Sequence, residues 1–420
     1  MMYALCDATS MYASCEKVFD PYLRRKPVIV LSNNDGCIVA ACPIAKRLGF
    51  KKFVPYFQVQ KAAEVAGIIV KSSNYELYAD MSSRMMDTIA RFADDVYIYS
   101  IDECFARFDN TISESDWYEL GLEIRKTVWR EVKLPVGVGF GPTATLAKAA
   151  NHASKKLPGA TGSFVLCSDK QKQRILKQMA VRDVWGIGSR LEKKLSVMGI
   201  SNAYEFSQQP AKRMGKYFSI LVENIVRELN GEVRIEWDGV RPAKKEIYST
   251  RSFGARITEI EQLKCALSSH AEVVGKKLRL QQSTAKGIIV FAHSSPHDSA
   301  PMYRKSIYHS FAVPTADTRN FINAVTNALT VIYRSNVRFY KCGVGLVEIS
   351  DSRYTQDDLF TPSNDNTKLM KALDGINDRF GRQTMYFAAR GIEEKFKMRR
   401  DFLSDCFTTR WKDIPKIDCT

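Results

Sequence analysis

The sequence predicts a multidomain α+β protein. Three observations carry this: a length of 420 residues with 45% hydrophobic content, strand–helix alternation at the start, and a β-α-β-β-α-β order from about 246 to 349. The length exceeds what one ordinary core can organise. Alternating elements predict a mixed α/β layer, and the later order folds as a four-stranded sheet backed by two helices.

Met2–Cys6 is a short apolar run fit for a buried strand, and it ends in Asp7. Ser10 to Phe19 suits a helix, and Val28–Leu31 is a β-branched run closing in the turn signal Ser-Asn-Asn-Asp-Gly. Residues 43–66 are helical and basic. From Tyr75 to Phe92 the spacing of Tyr78, Met81, Met85 and Ile89 marks one helix face. A single strand is then expected from Val96 to Phe105, running into Asp102 and Glu103. Helices from Trp117 to Val132 and about Thr143 to Lys156 flank the glycine-spaced strand Leu134–Phe140. The next region is all helical, with Trp185-Gly186-Ile187-Gly188 opening a short helix whose backbone N–H groups could meet a phosphate. After Arg241-Pro242 come strand 246–256, helix 261–281, strands 284–292 and 306–313, helix 317–334 and strand 338–349. Helices on one side leave the other sheet face open to a ligand.

Charge restricts the partners. The formal net charge of +16 favours a polyanion, either nucleic acid or an anionic membrane surface. Residues 1–95 hold 12 Lys/Arg and 10 Asp/Glu, whereas 241–310 hold 12 and 5, so the later region is the better phosphate-gripping candidate. No run approaches the ~20 apolar residues of a membrane span, and Met1–Asp7 has no basic leader segment. Ten cysteines without a CxxC pair fit a reducing cytoplasm. A P-loop and a GxSxG elbow are both absent, and His293-x-x-x-His297 lies beside Ser-Ser-Pro in a loop rather than in a metal-binding helix.

Asp7 and the Asp102-Glu103 pair are the chemical candidates, because both acidic sites adjoin hydrophobic strands of one layer. Clustered carboxylates are unfavourable unless cations neutralise them, and oxygen-only ligands suit Mg²⁺. Two such ions about 4 Å apart can serve an attacking oxygen and a leaving pyrophosphate. Lys148 and Lys155 stand seven residues apart and share a helix face, which permits a common anionic ligand.

These residues carry a resemblance. Asp7-x-x-x-Met11-Tyr12-Ala13-Ser14-Cys15-Glu16, Leu31-Ser32-Asn33-Asn34-Asp35-Gly36-Cys37, Ser72–Ser82, Ser100–Phe105 and Leu146–His152 together resemble the Y-family of translesion DNA polymerases, in its polymerase V branch. Arg251-Ser252-Phe253-Gly254 and Thr408-Thr409-Arg410-Trp411 extend the likeness to nearly the full chain. The resemblance implies a right hand: palm 1–25 and 70–165, small fingers 26–69, helix-hairpin-helix thumb 166–240 and little finger 241–350. A linker, 351–366, and a C-terminal module, 367–420, follow.

It further implies that Asp7, Asp102 and the Ala8 carbonyl hold two Mg²⁺ ions (Mn²⁺ as a substitute), with Glu103 beside them. Tyr12 becomes a steric gate against ribose, Lys46 and Lys155 hold the dNTP, and Gly186, Gly188 and Arg251 meet primer–template DNA. Gln356, Leu359 and Phe360 resemble a sliding-clamp peptide, and a UmuD′-like dimer and RecA filament are implied partners in the SOS response. Departures are Pro43 and Lys46 where many members have tyrosine and arginine, and Ala41 and Ala144 where basic residues stand in the polymerase V branch. A DNA-binding scaffold subunit with vestigial synthesis and a two-metal nuclease are the alternatives. Intact metal acids argue against the first, and Tyr12 with Lys155 against the second.

Overall fold

The first apolar run becomes the middle of a sheet, which is why it is apolar on both faces. In the computed structural model, β1 (Met2–Ala8) lies between two antiparallel neighbours, and its residues alternate between two cores. Ala4 and Cys6 join the core beneath the long helices, while Tyr3 and Leu5 pack with Phe105, Ala144 and Ala147 on the opposite face. The structure describes residues 1–109, 112–157, 161–237, 242–354, 364–381, 383–392 and 398–414. Two compact units result: Met1–Gly239 with Arg400–Thr420, and Val240–Arg399.

In the first unit, α1 (Met11–Phe19) follows β1, and β2 (Val28–Leu31) pairs antiparallel with β3 (Ile38–Ala41). The helices α2 (Pro43–Arg47) and α3 (Tyr56–Val65) lead to β4 (Ile69–Ser72), which runs parallel to β2. This small β3-β2-β4 sheet ends at Ser72, so its last strand spans position 69, where the resemblance sets the end of the fingers. Then come α4 (Tyr75–Ala90), β5 (Asp95–Ile98), β6 (Glu103–Phe108), α5 (Glu114–Val132), β7 (Val136–Gly141), α6 (Ala144–Lys156) and β8 (Ser163–Val165). The palm sheet has the order β5-β6-β1-β7-β8.

The single strand expected from Val96 to Phe105 is two strands. The chain does not run a single strand from Val96 into the acids; it turns between β5 and β6, so Asp102 lies in the turn and Glu103 opens β6. The cause is local. The Ser100 hydroxyl accepts from the N–H groups of Asp102 (3.3 Å) and Glu103 (3.1 Å), a serine turn that outcompetes extended pairing.

The thumb is helical as expected: α7 (Asp169–Gln178), α8 (Ser189–Val197), α9 (Ala203–Ser207), α10 (Ala211–Tyr217) and α11 (Ile220–Leu229). Glu228 of α11 joins it to the palm. Its buried carboxylate accepts from the N–H of Thr145 at the start of α6 and from the N–H groups of Arg234 and Ile235 (2.9, 2.9 and 3.0 Å). The Glu228 carbonyl accepts from the Thr143 hydroxyl, which also caps α6.

In the second unit, β9 (Ile247–Ile257), α12 (Ile260–Leu280), β10 (Ser283–Ser294), β11 (Arg304–Thr315), α13 (Thr318–Ile332) and β12 (Phe339–Asp351) reproduce the predicted order. The sheet is antiparallel, β11-β10-β12-β9. Its core-facing residues, among them Ile247, Phe253, Ile288, Val290 and Val344, pack against α12 and α13.

By its contacts, the described part of the stretch 367–420 falls in both units. The helix α14 (Thr367–Phe380) belongs to the second, where Asp374 pairs with Arg279 (2.7 Å) and Asp378 with Lys276 (2.5 Å). Residues 400–414 belong to the first, where Phe407 stacks on Phe19 and Cys406 is buried.

Candidate active site

Antiparallel register sets the acids. Pairing of β1 with β6 puts Asp7 opposite Glu103, and the Ala8 N–H donates to the Asp102 carbonyl at 2.8 Å. The Asp102 carboxylate accepts from the Ser100 hydroxyl at 2.6 Å. The same turn that breaks the strand thus also orients the acid.

Glycines bring the cations. The strand β7 reads Val-Gly-Val-Gly-Phe-Gly, and α6 lies directly on it. A Cβ on Gly139 would stand 2.0 Å from the Asn151 nitrogen, and one on Gly141 2.6 Å from the Ala147 nitrogen. No side chain fits there, so the helix approaches closely enough for its lysines to reach the acids. Lys155 donates to Asp7, and Lys148 donates to Glu103 at 2.8 Å. Lys148 is in turn held 4.8 Å from the Tyr99 ring centroid and 5.3 Å from that of Trp185, at cation–π range.

Burial pushes the Glu103 carboxyl up; Lys148 opposes this and nearby Asp7 adds to it. Two crowded acids behave this way, and a divalent cation would reverse the shift. Among the described residues, no three His, Cys, Asp or Glu side chains converge as a formed metal cage. The donor set nevertheless fits Mg²⁺ in kind: three carboxylates and a backbone carbonyl, all oxygen.

The fingers contribute to the same neighbourhood. Lys46 of α2 donates to the Ser10 hydroxyl at 2.9 Å. Its ammonium is held below the usual lysine range, first by burial and then by Lys52, with Lys155 adding and Asp7 opposing. Three lysines crowded in this way would be relieved by a polyphosphate. Tyr12 of α1 stacks on Tyr78 (centroids 4.6 Å apart, planes 15° apart) and meets Tyr75 edge-on at 5.9 Å. Burial pushes its hydroxyl up to about 12. Pro43 is the first residue of α2, and Ala41 and Ala144 are fully buried.

Some expected residues lie elsewhere. Gly186 has φ +86°, and a Cβ there would meet Ile225 at 2.7 Å; Gly188 caps α8 without a side chain, leaving the helix start open. Arg251 is half-buried on β9 opposite Cys342, on the same strand face as buried Phe253 two residues on, and its charge reaches buried His270. Gln356, Leu359 and Phe360 lie outside the described residues. The sequence reading missed Ser100, Lys52 and the Lys148–Glu103 pair. The first had a signal in its serine placed two and three residues before the acids.

Comparisons with known proteins agree with this layout. Residues 6–152 match the impB/mucB/samB family, 244–359 its C-terminal domain, 170–200 its helix-hairpin-helix motif and 367–417 a domain of unknown function. The chain is 41% identical to protein UmuC of Salmonella typhimurium over 99% of this chain and all of the relative. It is 40% identical to protein SamB of the same organism over the whole of both. A Y-family DNA polymerase chimera superposes with a TM-score of 0.66 at 20% identity, covering 83% of this chain and 99% of the other. The palm sheet, the helical region after it and the second four-stranded sheet together form the right-hand fold of Y-family DNA polymerases. Within that class, the chain belongs to the impB/mucB/samB family, the UmuC-like branch.

Proposed function

We propose that this chain is an error-prone translesion polymerase that transfers dNMP from a dNTP to a primer 3′-hydroxyl under template direction, within the SOS response. The observation that carries the reading is the meeting of Asp7 and Glu103 in register, with Asp102 beside them and Lys155, Lys46 and Tyr12 around them. Asp7, Asp102, Glu103 and the Ala8 carbonyl would hold Mg²⁺, which when bound neutralises the triphosphate and favours the ionised 3′-oxygen.

The remaining roles belong to the protein. Lys155 and Lys46, with Lys52, receive the triphosphate as point charges. The Tyr12 ring lies under the sugar and excludes a 2′-hydroxyl. Gly188 leaves the α8 N–H groups free for a primer phosphate. The little finger lays its open sheet face along the duplex, gripping backbone rather than sequence. Small fingers close loosely on the nascent pair, so a damaged template base is tolerated. Gln356, Leu359 and Phe360 dock on the sliding clamp, and a UmuD′-like dimer and RecA filament complete the active assembly in the cytoplasm.

The test is primer extension with Mg²⁺ and dNTPs on intact and abasic templates, with clamp and partner proteins supplied. Asp102→Ala is expected to abolish extension while DNA binding survives. Extension at the wild-type rate by that variant would remove the metal assignment.

A further inference from the structure

The C-terminal segment of the first unit reaches the support of Tyr12. Along β4, the Ser72 N–H donates to the Phe402 carbonyl and the Phe402 N–H donates to the Ser72 hydroxyl, both at 3.0 Å. The Asp401 N–H donates to Asp35 at 2.8 Å. Beyond this, Asn74 at the start of α4 donates its amide to the Ser404 carbonyl (3.0 Å), the Ser404 hydroxyl (3.1 Å) and the Asp405 carbonyl (3.2 Å).

The Ser404 hydroxyl donates to a carboxylate oxygen of Glu16 at 3.0 Å, and the Tyr78 hydroxyl donates to the same oxygen at 2.6 Å. Glu16 is 2% exposed, and Asn74 and Tyr78 are fully buried. The outer face of the Tyr78 ring carries Tyr12.

A buried carboxylate is costly to keep, and an apolar pair of similar shape would fill this space more cheaply. What the acid adds is direction. It fixes the rotation of Tyr78 from one side, Ser404 fixes the acid from the other, and Asn74 fixes Ser404. Burial pushes the Glu16 carboxyl up, and the Tyr78 and Ser404 hydroxyls offset part of that. The chain of hydrogen bonds and stacked rings ends on Tyr12, so displacement anywhere along it moves or loosens that ring.

We propose that Ser404, through Glu16 and Tyr78, is a positioning residue for sugar discrimination, so that the C-terminal segment supports the Tyr12 ring from behind. The inference rests on Tyr12 being the gate. Without Ser404, Glu16 loses a donor and Asn74 an acceptor, Tyr78 gains rotational freedom, and the stacked Tyr12 ring gives way to a 2′-hydroxyl. A sub-ångström loosening at a reacting centre is worth on the order of tenfold.

The test uses the full-length polymerase and single-nucleotide insertion of dCTP and CTP opposite template guanine. Variants are Tyr12→Ala, Tyr78→Phe, Ser404→Ala, Ser404→Thr and the double Tyr12→Ala/Ser404→Ala. Ser404→Ala and Tyr78→Phe are expected to lower the dCTP-to-CTP ratio of kcat/KM about tenfold, by a gain in CTP insertion with dCTP insertion retained. Ser404→Thr, which keeps the hydroxyl, restores the ratio. In the Tyr12→Ala background, removing Ser404 changes the ratio no further, because the two act through one ring.

A wild-type ratio in Ser404→Ala and Tyr78→Phe, with discrimination abolished in Tyr12→Ala, overturns the positioning role and leaves the gate standing. Equal loss of dCTP and CTP insertion overturns it in favour of plain packing. Unchanged discrimination in Tyr12→Ala removes the gate itself, and the positioning role with it. Tyr78→Phe deletes one oxygen and keeps the ring, so it answers the question should Ser404→Ala fold poorly.

Discussion

His270 is 8% exposed on α12, where it shares a hydrogen bond of 2.8 Å with the Ser249 hydroxyl. Burial lowers its pKa from 6.5 to about 4, and the charges of Arg251 and Lys277 push the same way. The unfolded chain therefore takes up a proton below 6.5 that the folded unit refuses until about 4. Stability is full above the unfolded value and is lost as pH falls through that window. Between pH 7.5 and 5 the loss comes to roughly 2 kcal/mol. Urea unfolding read by labelling of buried Cys342 should give midpoints that fall over this range, and His270→Gln should flatten the response. Equal slopes in both proteins would exclude His270 as the cause.

At the scale of elements, the glycines of β7 decide where α6 lies, and α6 decides where Lys148 and Lys155 end. Gly139→Ala sets a methyl against helix backbone at 2.0 Å, which no rotamer change relieves. We expect it to destabilise the fold by about 3 kcal/mol, measured by urea unfolding, and to raise the KM for dNTP as the lysines withdraw. Gly375→Ala is the contrast. It lies inside α14 with nothing within 4 Å, so it should be neutral or stabilise by up to about 1 kcal/mol. Should the two variants melt alike, close packing of α6 on β7 is not what the glycines serve.

The same elements show what was legible beforehand. Continuous apolar runs and helical spacing marked β1, β2, α4 and the whole β-α-β-β-α-β series, because burial on a fixed face imposes a period on the residues. That Asp7, Asp102 and Glu103 would be neighbours was legible from their places beside such runs. The turn at 99–102 was not, since one serine hydroxyl overrode a β-branched and aromatic stretch that favours extension. Which units the stretch 367–420 contacts was also hidden. A segment that completes another core has no periodicity announcing which core it will join. Ser404, Glu16 and Asn74 were hidden for that reason as well, being brought together across more than 300 residues.

For the molecule as a whole, the excess of positive charge is the property expected to address DNA. The net charge is +16, and the stretch 241–310 carries 12 Lys/Arg against 5 Asp/Glu. Lys244, Lys245, Arg304 and Lys305 of that stretch are exposed. Each cation that neutralises a phosphate releases a condensed counterion, so binding should weaken linearly in log–log salt titrations. With about six or more phosphates neutralised, affinity for primer–template falls about 10³-fold or more between 50 and 200 mM salt. Replacing Lys244 and Lys245 with alanine should reduce the slope by about one for each phosphate left without its lysine, equally on every template sequence. Asp102→Ala should leave the slope unchanged, because it removes a carboxylate proposed to bind metal and no cation. Fluorescence anisotropy over a salt series measures both. A flat titration would mean that the charge serves some other partner, and a slope altered by Asp102→Ala would mean that the acid site holds the duplex as well as the metal.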